Sequence, residues 1–451
     1  MRRCVVLGLA VGGAVLCALP TAWAQPPSGL GANPFAVSPS KKTKEQPLSD
    51  RLPEKPSLTP VFTIPIEPIG FTVPGASYLG LRYSFASLDF LDENRLLFTF
   101  RVPGLLHREP GDSGEGDAHQ IRAVVVALPE GKVEAEALWT VHDRGRYLWM
   151  LKDGHFLLRD RDTVQEGDAK LELKPLLQFP GSLLWLDLDP TQQFMVTNSV
   201  EPAVAAEAGA DGLAVGKAAV GQAAAGQGPD HFDSRKTDLV VRILQRESGR
   251  VMLVSRAPAT VHLPINADGY LESLRGMGQQ WLLNLKFFSG GSRILGRVDS
   301  SCSPAFEFIS QREVLVTACN GGGGRRLVAM DTDGNRLWED STAASAIWPL
   351  VVVGPDGSRL AQETLSINHA VNAYEPIDRE DVKGQLVRVF NAADGKVALE
   401  AAASPALDSG GNLAISETGR RVALLNSGAI QVFDLPAAPT LADAGGNPTG
   451  H

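Results

Sequence analysis

The sequence predicts an all-β fold: a β-propeller, most simply of seven four-stranded blades, closed by an N-terminal strand. Three observations predict it. A unit of apolar strand, tight polar turn and apolar strand recurs seven times, several copies are followed by a second hairpin, and the last copy runs out one strand short. Gly, Asp, Asn and Pro between β-rich flanks are hairpin signals, because these residues adopt the backbone angles that a tight reversal requires.

The units can be laid out in order. The first covers residues 88–98 and turns at Asp92-Glu-Asn; the second covers 148–158 and turns at Lys152-Asp-Gly. The third, 184–197, turns at Asp189-Pro-Thr-Gln, and the fourth, 271–285, turns at Gly276-Met-Gly. The fifth, 306–318, turns at Ser310-Gln-Arg; the sixth, 350–360, at Pro355-Asp-Gly; the seventh, 413–426, at Glu417-Thr-Gly. Second hairpins follow at 123–133, 239–253, 327–338 and 386–399. Two hairpins make four strands, which is one blade. The body, 61–435, allots roughly 54 residues to each blade, above the usual ~40–45, and insertions account for the excess. The seventh unit ends at Leu435 with three strands, so its outer strand must come from 61–73. A ring closed in this way leaves no sheet end free to mispair. Six or eight blades stay compatible with the sequence, since the second and fourth units are irregular.

The flanks differ from the body. Residues 1–24 read as a secretory signal peptide: Arg2 and Arg3, an apolar stretch 4–19, and Ala22-Trp23-Ala24 before Gln25. Cleavage is expected after Ala24, and no apolar run of 18 or more follows, so no membrane span is expected after signal removal. Residues 25–60, rich in Pro, Ser and Lys, read as a disordered arm, and 436–451 as a disordered tail. Within the body, 201–236 is an Ala/Gly low-complexity insertion. Its glycines each cost about 1 kcal/mol in a helix, which favours a flexible reading. The formal net charge is −9, and it becomes more negative without Arg2 and Arg3. An acidic chain gains nothing from counterion release, so nucleic acid is not an expected partner. A periplasmic or secreted monomer is expected.

One hairpin carries a family resemblance. Leu327-Val-Ala-Met-Asp-Thr-Asp-Gly-Asn-Arg-Leu-Trp338 resembles the repeat of quinoprotein-type (PQQ-like) propellers, with Ala329, Asp331, Gly334 and Trp338 at the matching places. Ala127, Gly131 and Trp139 echo it. The resemblance covers one blade and otherwise extends, as architecture, to bacterial PQQ-like and WD40-like propellers, including lipoproteins of outer-membrane assembly that bind proteins. It implies the fold. The quinone enzymes of that group use an adjacent cysteine pair at the cofactor, and this chain has no adjacent cysteines. No cofactor is therefore expected.

Motifs that carry chemistry are sparse. Cys302 and Cys319 are the two cysteines left after signal removal, an even pair in an oxidising compartment. A hairpin centred on Ser310-Gln311 sets them opposite each other, at a spacing a disulfide can span. Asn320-Gly-Gly-Gly-Gly-Arg-Arg326 lacks the following helix that a phosphate loop needs. Asp331-x-Asp333-Gly-Asn335 lacks the later ligands of a calcium loop. The eight His are scattered, and neither a zinc spacing nor a Gly-x-Ser-x-Gly elbow occurs. No catalytic or metal-ligating residue is assigned. Three insertions, 105–120, 201–236 and 366–384, fall between the first and second hairpins of their blades, so all emerge on one face of the ring. That face is the expected recognition surface, with Asn368, His369, Asn372, Tyr374, Glu375, Asp378 and Arg379 as candidate binding residues. The expected function is a scaffold binding protein or glycan in the bacterial envelope, without catalysis. The alternative is an enzyme with an axial site, a lactonase-like hydrolase or degenerate quinoprotein. Carboxylates or His converging on the axis would favour the alternative.

Overall fold

The computed structural model describes residues 51–73, 84–103, 118–142, 145–202, 237–257, 262–321, 324–342, 346–369 and 379–439. Seven antiparallel sheets follow one another along the chain. Blades 1, 2, 3, 5 and 6 occupy residues 86–141, 148–178, 182–257, 305–342 and 346–403, each with four strands paired in chain order. Blade 7 takes Leu413–Ile415, Arg421–Asn426 and Ala429–Asp434 from the C-terminal side. Its outer strand is Phe62–Pro65, in register from Phe62↔Val432 to Pro65↔Ala429. The closing strand lies where the count of strands placed it. Ile64 and Ile430, opposite each other, are buried, so apolar packing as well as pairing seals the ring.

Blade 4 corrects the reading of one hairpin. Its regular strands are Gly269–Arg275, Gln280–Phe287 and Ser292–Asp299. The innermost position belongs to the stretch 262–266, joined to the sheet by an Ile265↔Tyr270 bridge. Asn266 N donates to Gly269 O and Leu271 N to Pro264 O, each at 2.9 Å. The turn at Gly276-Met-Gly thus joins the second strand to the third, not the first to the second. Pairing agrees: Gln280–Phe287 and Ser292–Asp299 shift register at Leu283/Asn284. The third and fourth strands of blades 1, 2, 3, 5 and 6 shift likewise. Such bulges raise local twist.

Burial explains the strand sequences. Arg359–Ile367, a second strand, is buried at all nine positions because neighbouring blades cover both faces. The outermost strand Lys132–Val141 has one wet face and alternates, burying Trp139 and Val141. Between blades lie apolar clusters, such as Ile64, Phe98, Val124 and Val432 across the closing seam. Trp338 spans two blades: it stacks on Phe390 at 6.2 Å, and its Nε1 donates to Ala392 O at 2.6 Å.

The turns between first and second strands link into a belt on one face. Arg421 Nη1 of blade 7 donates to Glu93 O of blade 1 at 2.6 Å. Lys152 N of blade 2 donates to Gln192 Oε1 of blade 3 at 2.9 Å. Gln311 Nε2 of blade 5 donates to Asp189 Oδ2 of blade 3 at 3.1 Å, and Asn266 Nδ2 of blade 4 donates to Gln311 O at 3.1 Å. On the opposite face, where blades connect, Gly411 has φ +100, and a Cβ there would lie 1.9 Å from Ala86 O. Only glycine fits, and the close approach lets Leu88 N donate to Gly411 O at 2.9 Å. Residues 51–60, within the expected arm, run along blade 6: Ser57 N donates to Glu400 O at 2.8 Å.

Candidate functional site

The first strands line the axis; that of blade 1 touches those of blades 7 and 2. Three of them each carry one acid between apolar neighbours: Asp89 in Ala86–Asp92, Asp187 in Ser182–Leu188 and Glu307 in Ala305–Ser310. The apolar neighbours Leu88 and Phe90, Leu186, and Phe306 and Phe308 are buried in the interblade clusters. Strand alternation then sends each acid the other way. Arg146, in the connection from blade 1 to blade 2, sits in the field of all three carboxylates. Its Nε donates to Leu148 O at 3.0 Å, and its guanidinium lies 5.0 Å from the centre of the Trp149 ring.

Electrostatics mark the cluster. Burial pushes Glu307 up to about 8; Asp187 beside it adds to the rise and Arg146 opposes it. Burial also raises Asp187, against His262 and Arg146, and raises Asp89, against the Ser87 hydroxyl and Arg146. Ser87 Oγ donates to Asp89 Oδ2 at 2.6 Å. Burial lowers His262, which Asp187 only partly offsets across 3.8 Å. The Trp185 ring lies 4.6 Å from His262. Asp187 keeps 28% of its side-chain surface accessible and His262 38%, so water reaches the cluster. Chemically, this is a site with more carboxylates than cations, holding a proton on Glu307 at neutral pH. Among the described residues no group of three or more His, Cys, Asp or Glu is placed to hold a metal ion.

Next to the axis, Tyr147 is raised to about 12 by burial and shares a 2.8 Å hydrogen bond with Thr99. A separate acid, Glu363, is fully buried in blade 6, under the connection to blade 7.

The candidates named from sequence fall elsewhere. The described strands flanking the three insertions end at one face, the face of the blade connections. Asn368 Nδ2 donates to Glu380 O at 3.0 Å, and His369 Nδ1 stands 3.7 Å from Asp381. Arg379 opens a short 3-10 turn, Arg379–Asp381. Asn372, Tyr374, Glu375 and Asp378 lie outside the described residues. Cys302 and Cys319 form the expected disulfide, with Cα atoms 5.5 Å apart. Cys302 sits in the connection from blade 4 to blade 5, before the strand begins, and the hairpin turns at Gln311-Arg312, with Ser310 opposite Glu313, so that beyond the Phe308/Ser310 bulge the strands stand one residue from the register of a hairpin centred on Ser310-Gln311. The Arg325 guanidinium rests against Cys319 Sγ. The glycine run joins two antiparallel strands, Glu313–Cys319 and Arg325–Asp331, with no helix following. Asp331 accepts from the backbone N–H of Asp333 and Asn335 at 2.9 and 2.8 Å, which makes the calcium-like segment a capped turn.

No protein-family model matches the chain, and no curated protein does. Among solved structures the chain is similar to the acylaminoacyl peptidase of Pyrococcus horikoshii, at 12% identity and TM-score 0.43, over 76% of this chain and 49% of that one. It thus spans about half the length of that enzyme. It is also similar to the β-propeller domain of the Trilobed protease from Pyrococcus furiosus, at 10% identity and TM-score 0.40, over 78% and 94%. A TolB-like protein from Agrobacterium tumefaciens matches at 11% identity and TM-score 0.35, over 58% and 82%. At these identities the likeness concerns the fold alone. The sheets and their pairing define the class independently: a seven-bladed β-propeller with a seam closed by its N-terminal strand.

Proposed function

We propose that this chain is an exported binding propeller that engages a protein or glycan ligand at the connection face, with the axial cluster as its polar contact. The observation that carries the reading is the convergence of Asp89, Asp187 and Glu307, from three blades, on Arg146. Burying charge in this way costs stability, and a fold retains such groups where a ligand repays them. The connection face adds the three insertions and the candidates Asn368, His369 and Arg379. Residues 1–24 as a signal peptide, a periplasmic or secreted location and a monomeric state belong to this reading. So does descent from PQQ-like propellers, which rests on the hairpin from Leu327 to Trp338.

One observation favours a second reading, an enzyme with an axial site. A carboxyl raised to about 8 beside a His–Asp pair is suited to moving protons at neutral pH. Fold alone decides neither. In-cell crosslinking of the tagged mature protein, with capture from the envelope fraction, separates them. A partner captured by the wild type and lost from both Arg146→Met and a deletion of 366–384 supports binding. Capture unchanged in both variants sinks it, and a hydrolase substrate screen then follows.

A further inference from the structure

The Cys302–Cys319 disulfide has a cation beside it that nothing else answers. Cys319 and Arg325 stand directly opposite each other on adjacent strands, so their side chains share one face. The Arg325 guanidinium rests against Cys319 Sγ, and its Nη1 lies 3.6 Å from Cys302 Sγ. Arg326, one residue on, belongs to the other face and pairs with Glu339 at 3.3 Å. Burial pulls the Arg325 pKa down, and no acid among the described residues opposes it. A partly buried guanidinium therefore faces two neutral sulfurs. A thiolate in their place would answer its charge.

The two sulfurs differ in access. Cys319 is 8% exposed, at the end of a second strand. Cys302 is only partly buried and follows exposed Ser301 in the connection between blades. In thiol–disulfide exchange the incoming thiolate needs a reachable sulfur, and the departing sulfur leaves faster when its thiolate is stabilised. Both conditions select one course here: attack at Cys302 and departure of Cys319 onto Arg325. Contacts that bypass the bridge hold the region together. Cys319 N donates to Ser300 Oγ at 2.9 Å, Ser301 N to Cys319 O at 3.1 Å, and Ser300 N to Gln279 O at 2.8 Å. The blades can thus stay in place when the bridge opens.

We propose that this bridge is a site of reversible thiol modification, at which a small thiol or a dithiol reductant attacks Cys302 Sγ and Cys319 leaves as a thiolate held by Arg325. A bond forms between the incoming sulfur and Cys302 Sγ. The bond between Cys302 and Cys319 breaks, and its electron pair goes to Cys319 Sγ. A second thiol then attacks the mixed disulfide, which frees Cys302 as a thiol and oxidises the reductant to its own disulfide. The proposal is independent of what binds at the axis.

Opening of the folded mature chain by dithiothreitol, followed by mass spectrometry of quenched samples, tests it. The rate should rise in proportion to reductant while far-UV circular dichroism stays constant. Arg325→Met should slow opening severalfold, and Arg325→Lys should keep most of the wild-type rate. A purely structural role for Arg325 predicts the opposite, since looser packing would bare the bridge and speed its opening. The pH dependence of iodoacetamide alkylation of the reduced protein gives a second reading. The Cys319 midpoint should lie below the usual thiol value of about 8.5 and below that of Cys302, and it should rise in Arg325→Met. A wild-type opening rate that does not depend on reductant concentration, so that the bridge opens only on unfolding, overturns the proposal without any variant. So does a Cys319 midpoint at or above that of Cys302, or an Arg325→Met rate equal to or above the wild type.

Discussion

Glu363 is the group through which pH acts most cleanly on this fold. Its side chain is 0% exposed; Gln385 Nε2 donates to Oε2 at 3.1 Å, and Oε1 has no hydrogen-bond partner among the described residues. Burial, the sole cause, pushes its carboxyl from 4.5 up to about 8. The unfolded chain loses this proton near pH 4.5, and the folded chain keeps it until near pH 8. Between those values the folded state binds the extra proton, so stability falls as pH rises. The contribution is fully present below pH ~4.5 and is lost through pH ~8. At about 1.4 kcal/mol per pH unit inside the window, Glu363 alone removes about 3–4 kcal/mol from pH 5 to pH 8. Glu363→Gln keeps the shape and stays neutral. It should match the wild type within about 1 kcal/mol at pH 5 and exceed it by about 3 kcal/mol at pH 8. Urea unfolding at pH 5, 6, 7 and 8, with the disulfide oxidised, reads the difference. Groups common to both proteins, Glu307 included, cancel. Parallel pH profiles for the two proteins would refute the reasoning.

Three further outcomes follow from the packing. Replacing both Cys302 and Cys319 by Ser opens a loop with a sequence separation of 17. The urea midpoint should drop by the equivalent of about 3 kcal/mol; an unchanged midpoint would show that the staple adds nothing. Ile64→Asp puts an unpaired carboxylate into the closing seam, where Ile64 is 3% exposed. The loss should exceed about 3 kcal/mol and leave residues 51–65 open to protease, whereas Ile64→Val should cost about 1. Trp338→Phe removes the hydrogen bond to Ala392 O and should cost about 1–2 kcal/mol, with Trp338→Ala near 3–5. Equal costs for the two would show that the indole is not a bridge between blades.

The architecture was legible because each blade repeats the same local solution. Hairpin turns, alternating outer strands and the three-strand remainder at 413–435 are all local signals, and they were enough to predict the closing strand. Blade 4 was misread for a local reason too. Its inner stretch, 262–266, contains Pro264 and runs straight into the turn Asn266-Ala-Asp-Gly, so it reads as loop, and the regular pair after it takes its place. Tertiary bonds from Asn266 to Gln311, invisible in sequence, hold that stretch in position. The axial cluster was not legible because positions 89, 146, 187, 262 and 307 meet only when the ring closes. A signal was nonetheless present: Leu88-Asp89-Phe90, Leu186-Asp187-Leu188 and Phe306-Glu307-Phe308 each set one acid within an apolar first strand. In a propeller that pattern points at the axis.

The central claim is that Arg146 and the three acids form one coupled cluster on that axis. A double-mutant cycle of Arg146→Met and Glu307→Gln, measured by urea unfolding at pH 5 and pH 9, tests it most directly. Removing the guanidinium leaves the carboxylates unanswered, so Arg146→Met should cost more at pH 9, where Glu307 is ionised, than at pH 5. Glu307→Gln should return part of that cost, with a coupling of about 1 kcal/mol or more at pH 9 that shrinks at pH 5. Additive effects, equal at both pH values, would mean that these residues do not meet at the axis and that the cluster is not a site.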